Sequence, residues 1–377
     1  MERLCELHAA GVSIWLDTLS RHLIASGEFG SLVDDACVTG ATSNPTIFAA
    51  AIRGADGYEQ QLQALLRAGA RNAQEIFFDL ALDDVRNAAD ILRPVYDQSD
   101  GRDGFVSFEC TPDLADDTDA TIEQARMLWE RLDRRNVMIK VPATPAGLGA
   151  IEELTAAGVN VNVTLLFARK RYDEVIEAYL SGLERRAAGG DSLDTVSSAA
   201  SFFVSRVDAK ADEQLALASP LRGRVAIANA KLAYQLYQRR FSDDRWNALA
   251  VKGARPQRPL WASTGTKNPA YPDVMYVEEL IGPDVVNTMP DKTLRAFADH
   301  GHVRRTVDTG FDDAEQVLAD LQAAGVELDL ITSALEREGV SSFCDSYHQL
   351  LDCITEKATS LGARLDSSPE VPEPPQT

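Results

Sequence analysis

The sequence predicts an α/β protein, a (β/α)8 TIM barrel with additional helices at its C-terminal end. Three observations carry that prediction. Short, β-rich apolar segments occur eight times, the number that closes a parallel barrel. Helical patterns separate most of them, as βαβ units require. No G-x-G-x-x-G follows the first segment, which disfavours a doubly wound dinucleotide-binding sheet.

In chain order the strand segments are SIWLD (13–17), ACVTGATS (36–43), GFVSFEC (104–110) and VMIKVPA (137–143), then VNVNVTLLF (159–167), DTVSSAASFFVS (194–205), RPLWAST (258–264) and DVVNTMP (284–290). Between them lie amphipathic helices. Leu148, Ile151 and Leu154 form a short stripe that Gly158 should stop. Tyr172, Val175, Ile176, Tyr179, Leu180 and Leu183 form a longer stripe on a 3.6-residue period, suited to packing on a sheet. From about residue 311 the pattern is helical only, with FDDAEQVLADLQAAG and FCDSYHQLLDCITEKATSL expected to lie against the barrel. One domain over residues 1–365 follows. The acidic, Pro-rich segment 366–377 reads as a disordered tail. No internal repeat is visible.

Composition narrows the function. The 377 residues carry 58 acidic and 37 basic side chains, a formal charge of −21. That excess repels a phosphate backbone and argues against nucleic acid, but a small phosphorylated ligand feels only its local field. The five cysteines (Cys5, Cys37, Cys110, Cys344 and Cys353) are odd in number and include no CxxC pair. This favours reduced thiols in a cytosol, each buried as a small hydrophobe, over a disulfide framework or a zinc site. No apolar run reaches a membrane span, and the N-terminus lacks the apolar core of a signal peptide. The expectation is a cytoplasmic monomer or homodimer. Only five histidines occur, and His300 and His302 (DHGH) read as a surface loop, so neither a metal nor another cofactor is expected.

Side chains along a strand alternate between faces. Val137, Ile139 and Val141 share the face meant for the helices, so Lys140 points into the barrel. Alone, Lys140 admits two readings: a side chain reaching water at an exposed strand end, or a buried amine whose lowered pKa makes it a nucleophile. The same alternation turns Asp17, Ser107, Glu109, Asn160, Asn162 and Thr164 inward. Four segments thus aim polar groups at one interior, near the strand C-termini where barrel enzymes keep their active sites. Any one of these groups has a structural explanation, since Asp17 could cap a helix and the asparagines could fill a polar core. The set together favours a catalytic Lys140. A lysine flanked by two carboxylates suits Schiff-base chemistry, with Asp17 and Glu109 dividing the proton transfers. A metal-dependent aldolase lacks its ligands here.

The motifs SIWLDTLSR (13–21), GATSNPTIF (40–48), VSFEC (106–110), VMIKVPAT (137–144), GVNVNVTLLF (158–167), SFFVSRVD (201–208), LWASTGTKNP (260–269) and NTMP (287–290) together resemble transaldolase of the longer-chain bacterial type, over residues from about 10 to 360. The resemblance implies transfer of a dihydroxyacetone unit in the non-oxidative pentose phosphate pathway. The donors would be sedoheptulose 7-phosphate or fructose 6-phosphate, and the acceptors glyceraldehyde 3-phosphate or erythrose 4-phosphate. It implies that Lys140 forms the Schiff base and Asp17 deprotonates the C4 hydroxyl. Glu109 would work through an ordered water with Thr164 alongside. Asn44, Asn162 and Ser201 would hold the dihydroxyacetone hydroxyls, with Thr42 a polar neighbour. Asn44 precedes Pro45 and can equally N-cap a helix. Arg206 matches a phosphate-binding arginine and Ser263 a phosphate-binding serine. A second arginine of the shorter-chain relatives is replaced by Gly265, and Lys267 becomes the substitute cation, a point charge in place of a fork.

Two rival readings remain. An aldolase related to the fructose 6-phosphate aldolases would release free dihydroxyacetone, and those relatives tend to carry Tyr where this chain has Phe203. A phenol can position hydrolytic water and a phenyl ring cannot, so Phe203 favours transfer. A non-catalytic barrel binding protein should have lost at least one of Lys140, Asp17 and Glu109, and all three are intact.

Overall fold

Eight strands, all paired in parallel, close into a single barrel in sequence order: β1 (Val12–Leu16), β2 (Val38–Thr42), β3 (Phe105–Glu109), β4 (Val137–Pro142), β5 (Val161–Leu166), β6 (Ser198–Phe203), β7 (Arg258–Ala262) and β8 (Val285–Met289). The closing pair, β1 with β8, runs in unbroken register from Val12 opposite Val285 to Leu16 opposite Met289. The computed structural model describes residues 1–366 apart from Asn44, residues 55–56 and Arg71. The tail assigned to 366–377 therefore lies, beyond Asp366, outside the described residues.

The alternation of each strand decides what the barrel contains. Val137, Ile139, Val141, Val161 and Val163 are wholly buried under the helices, where β-branched side chains pack well on a pleated surface. In the lower interior Trp15 lines a cavity together with Met138 and Val286. A Cβ on Gly40 of the neighbouring strand would lie 2.5 Å from the Trp15 indole, so β2 needs glycine there.

The helices Pro145–Ala156 and Arg169–Ala188 bury the two stripes read from the sequence, except that Leu148 is only partly buried. Thr144 caps the first of them by accepting from Gly147 N at 3.0 Å, and Gly158 follows its end at φ 85°. The C-terminal region differs from expectation. The segment read as starting at Phe343 belongs to one helix of 33 residues, Leu328–Ser360. Its stretch Gly339-Val-Ser-Ser342 consists of weak helix formers, which masked the continuity, and tertiary packing overrides that propensity. No described helix is long and apolar enough to cross a membrane.

The cysteine reading needs correction. Cys5 and Cys37 form a disulfide, with Cα atoms 5.3 Å apart. Parity and spacing could not reveal it, because the fold brings the helix Glu2–Ala9 against the end of the helix Glu28–Ala36 across 32 residues of sequence. Cys110 and Cys353 are buried thiols, whereas Cys344 is half-buried. Burial pushes the Cys110 thiol up to about 12, which disfavours its thiolate.

Candidate active site

Lys140 sits near the end of β4, 7% exposed, directly opposite Glu109 in the register of β3 and β4. Its Nζ donates to Ser43 O at 3.1 Å and to Glu109 Oε1. The lysine in the middle of a buried strand is thus paired and points inward. Burial raises the pKa of the Glu109 carboxyl, the charge and hydrogen bond of Lys140 oppose the rise, and Asp17 adds to it by repulsion. Glu109 Oε2 has no hydrogen-bond partner among the described residues.

Asp17 is the first residue past β1, and its backbone N–H is held by Met289 O at 2.8 Å. Burial also raises its pKa, against the charge of Lys140, the hydrogen bond from Thr42 and the charges of Lys267 and Arg206. Thr42 Oγ1 donates to Asp17 Oδ1 at 2.8 Å. With its one proton so used, Thr42 must accept from Thr288 Oγ1 at 2.9 Å. A relay of two threonines therefore orients the carboxylate.

On β5, pairing with β6 slips between Val163 and Leu166. Leu165 takes φ 61° at this irregularity, a left-handed conformation that costs a leucine roughly 1–2 kcal/mol. Beside it Thr164 faces the cavity with Oγ1 buried and unpartnered among the described residues. Ser201 donates to Asn162 Oδ1 at 2.7 Å, and Asn162 Nδ2 donates to Ser107 Oγ at 2.9 Å.

These residues meet in a cavity of about 400 Å³ at the C-terminal mouth of the barrel. Asp17, Thr42, Lys140, Thr164 and Ser201 face it from the strands. Phe203, Arg206, Ser263 and Lys267 face it from the segments following β6 and β7 or at their ends. Glu109 lies behind Lys140, and Asn162, fully buried, lies behind Ser201. Asn44 falls outside the described residues. Asn160 does not join the site. Its amide donates to Arg135 O and Val137 O and its carbonyl accepts from Ser197 N, so it ties loops at the strand N-termini.

The rim formed by Arg206, Ser263 and Lys267 is electrostatically distinct. The Arg206 guanidinium lies 5.5 Å from the Phe203 ring centroid and meets no carboxylate or hydrogen-bond acceptor among the described residues. Burial holds its pKa below the ordinary value. Lys267 is exposed and likewise without an ion-pair partner among the described residues. Ser263, at φ 56°, shares a hydroxyl contact of 3.0 Å with Ser205. Two uncommitted cations on one rim of an acidic chain form a natural anion site.

Among the residues facing this cavity that sequence reasoning missed are Thr46, Thr288, Ser342, Phe343 and Ser346. Thr288 was accessible, since alternation along β8 turns it inward. Ser342, Phe343 and Ser346 belong to the long C-terminal helix, and no local pattern announces that it passes over the mouth.

Comparison with known proteins gives a consistent result. Residues 14–354 match a family model described as transaldolase/fructose-6-phosphate aldolase. A transaldolase of Parafrankia sp. is 50% identical over 366 residues, covering 96% of this chain and 99% of its own length. Transaldolase 1 of Streptomyces coelicolor is 51% identical over 358 residues, covering 93% and 94%. Transaldolase 1 of Streptomyces avermitilis is 49% identical over 369 residues, covering 96% and 97%.

Proposed function

Because the chain belongs to the transaldolase/fructose-6-phosphate aldolase family, we propose that it transfers a dihydroxyacetone unit between sugar phosphates through an imine on Lys140, as the enzymes of the pentose phosphate pathway that bear the name transaldolase do. The pairing of a buried Lys140 with Glu109, beside Asp17, carries the reading.

Lys140 attacks C2 of the ketose phosphate, and loss of water from the carbinolamine leaves a protonated imine. Glu109, whose pKa burial raises, can hold and return the protons of those steps. Its free Oε2 and Thr164 Oγ1 are the buried oxygens available to a water shuttling between carboxyl and substrate. Asp17 takes the proton of the C4 hydroxyl. The C3–C4 bond then breaks, its electron pair enters the iminium to give an enamine, and the aldehyde phosphate leaves. An acceptor aldehyde is attacked by C3, Asp17 returns the proton, and hydrolysis of the new imine frees the product ketose and Lys140. Ser201, anchored on Asn162, is suited to hold a hydroxyl of the three-carbon unit, while Arg206, Ser263 and Lys267 are suited to the phosphate. Phe203 offers no hydroxyl to activate water on the enamine, which supports transfer over release of dihydroxyacetone.

Trapping tests the reading. Fructose 6-phosphate without acceptor, followed by borohydride, should leave a reduced three-carbon unit on the peptide containing Lys140, and Lys140→Ala should lose both label and turnover. Label on another lysine, or an active enzyme that takes no label, would reject the mechanism.

A further inference from the structure

The helix Leu328–Ser360 is fastened on both sides of the active-site mouth. On one side Lys210 pairs with Glu338, Arg171 pairs with Glu336 at 3.6 Å, and Gly339 sits on Leu165 at the irregular end of β5. A Cβ on Gly339 would come 2.9 Å from Leu165 Cδ2, so glycine lets the helix settle this low. On the other side Thr46 bonds Ser346 at 3.0 Å, Tyr347 packs edge-on against Phe77, and His348 meets Asp113 at 3.1 Å. Ser342 and Phe343, between these fastenings, and Ser346, at the second of them, face the cavity at helical spacing.

We propose that this helix is a wall of the substrate site, in which the Ser342 and Ser346 hydroxyls hydrogen-bond the phosphate-bearing half of the bound sugar and Phe343 limits its length. The inference rests on the transaldolase reading above. Two observations carry it. First, the Thr46 hydroxyl donates to Ser346 Oγ, so the Ser346 proton remains for an acceptor oxygen in the cavity. Second, the Lys210–Glu338 pair fixes the local register. Arg206 lies one turn before Lys210 and Ser342 one turn after Glu338, and both face the same cavity, so the serine stands on the side of the phosphate cation. Small hydroxylated residues in the middle of a helix are poor for helix stability, but they leave room for a ligand and supply donors to it.

The test uses the full chain. In the double variant Ser342→Ala/Ser346→Ala, KM for fructose 6-phosphate should rise about ten-fold, as expected for two lost hydrogen bonds, with kcat within about two-fold. Ser342→Trp should block fructose 6-phosphate far more severely. Borohydride labelling of Lys140 by free dihydroxyacetone, which lacks the distal half, should be unchanged in both variants. An unchanged KM in the double variant overturns the proposal. So does a parallel loss of labelling by dihydroxyacetone, which would mean general damage to the barrel. Wild-type enzyme that forms no imine with either compound would instead refute the reading on which the proposal rests.

Discussion

At the N-terminal mouth of the barrel, Asp103 accepts from Ser13 Oγ, from Trp15 Nε1 at 3.0 Å and from Gly104 N at 3.1 Å. Arg258 reaches Ser13 Oγ and the carbonyl oxygens of Asp284, Arg102 and Val285, while Arg102 pairs with Asp284 and Arg255 binds Gly101 O. At the C-terminal mouth, Arg206 and Lys267 have no such partners among the described residues, and Glu109 Oε2 and Thr164 Oγ1 are unsatisfied. Both ends enclose cavities of similar size, about 300 and 400 Å³, and both carry arginines and carboxylates. Residue types do not distinguish them. The pairing of the cations does: Arg102, Arg255 and Arg258 are held by groups of the fold at the N-terminal mouth, whereas Arg206 and Lys267 have no ion-pair partner among the described residues and remain open to an anion.

The sharpest way to break this comparison is to remove one aspartate from each end. Asp17→Asn should lower kcat by about 10²- to 10⁴-fold, the usual scale for a positioned acid–base group. Its thermal midpoint should hold or rise, since a carboxylate disfavoured by burial has been neutralised. Asp103→Ala should do the reverse. It strands the Trp15 N–H and the Ser13 hydroxyl, at about 1–3 kcal/mol for each buried group left unpaired. Its thermal midpoint should fall by several degrees, with kcat of the folded enzyme within a few-fold of wild type. Equal losses of activity in the two variants, at equal stability, would erase the distinction between the ends.

A second comparison lies within the C-terminal mouth. Arg206→Ala should raise KM for fructose 6-phosphate by about 10- to 100-fold, the range for losing charge-assisted hydrogen bonds of about 1.5–3 kcal/mol. Lys267→Ala should raise it less, because the ammonium is exposed and screened by water. Both should spare kcat more than KM, as expected for an anchor remote from bond cleavage. If Lys267→Ala is silent, Arg206 and Ser263 must hold the phosphate alone.

The strands, and the inward aim of Lys140, Asp17, Glu109 and Thr164, were legible because a two-residue period in a barrel leaves only one alternative face. The same rule overreached at Asn160, where it gave the direction of a side chain but not its height along the barrel, and height separates a loop tie from a site residue. Pairings between distant segments were illegible. The Cys5–Cys37 bond, the capture of Trp15 by Asp103 and the passage of Ser342 and Ser346 over the mouth all depend on how helices and loops dock, and no local periodicity encodes that. Asn162 shows an intermediate case. Its inward direction was legible, but its two bonds to Ser201 and Ser107 were not.

The finest test of the C-terminal mouth concerns Thr42, whose hydroxyl links Thr288 to Asp17. Burial raises the Asp17 carboxyl above the usual carboxylate range, so the acid limb of kcat/KM should lie above that range as well, because only the ionised form accepts the C4 proton. The Thr42 hydrogen bond works against burial, since it stabilises the anion and lowers the pKa. Thr42→Val keeps the shape and removes the donor. The neutral form of Asp17 then gains relative to the anion, its pKa rises further, and the acid limb should move to higher pH. Well above the limb Asp17 is ionised in both enzymes, so the rates there should stay within a few-fold of each other. Thr42→Ser, which retains the hydroxyl, should restore the wild-type limb. A limb that stays in place in Thr42→Val, or moves to lower pH, would mean that the residue titrating in that profile is not Asp17.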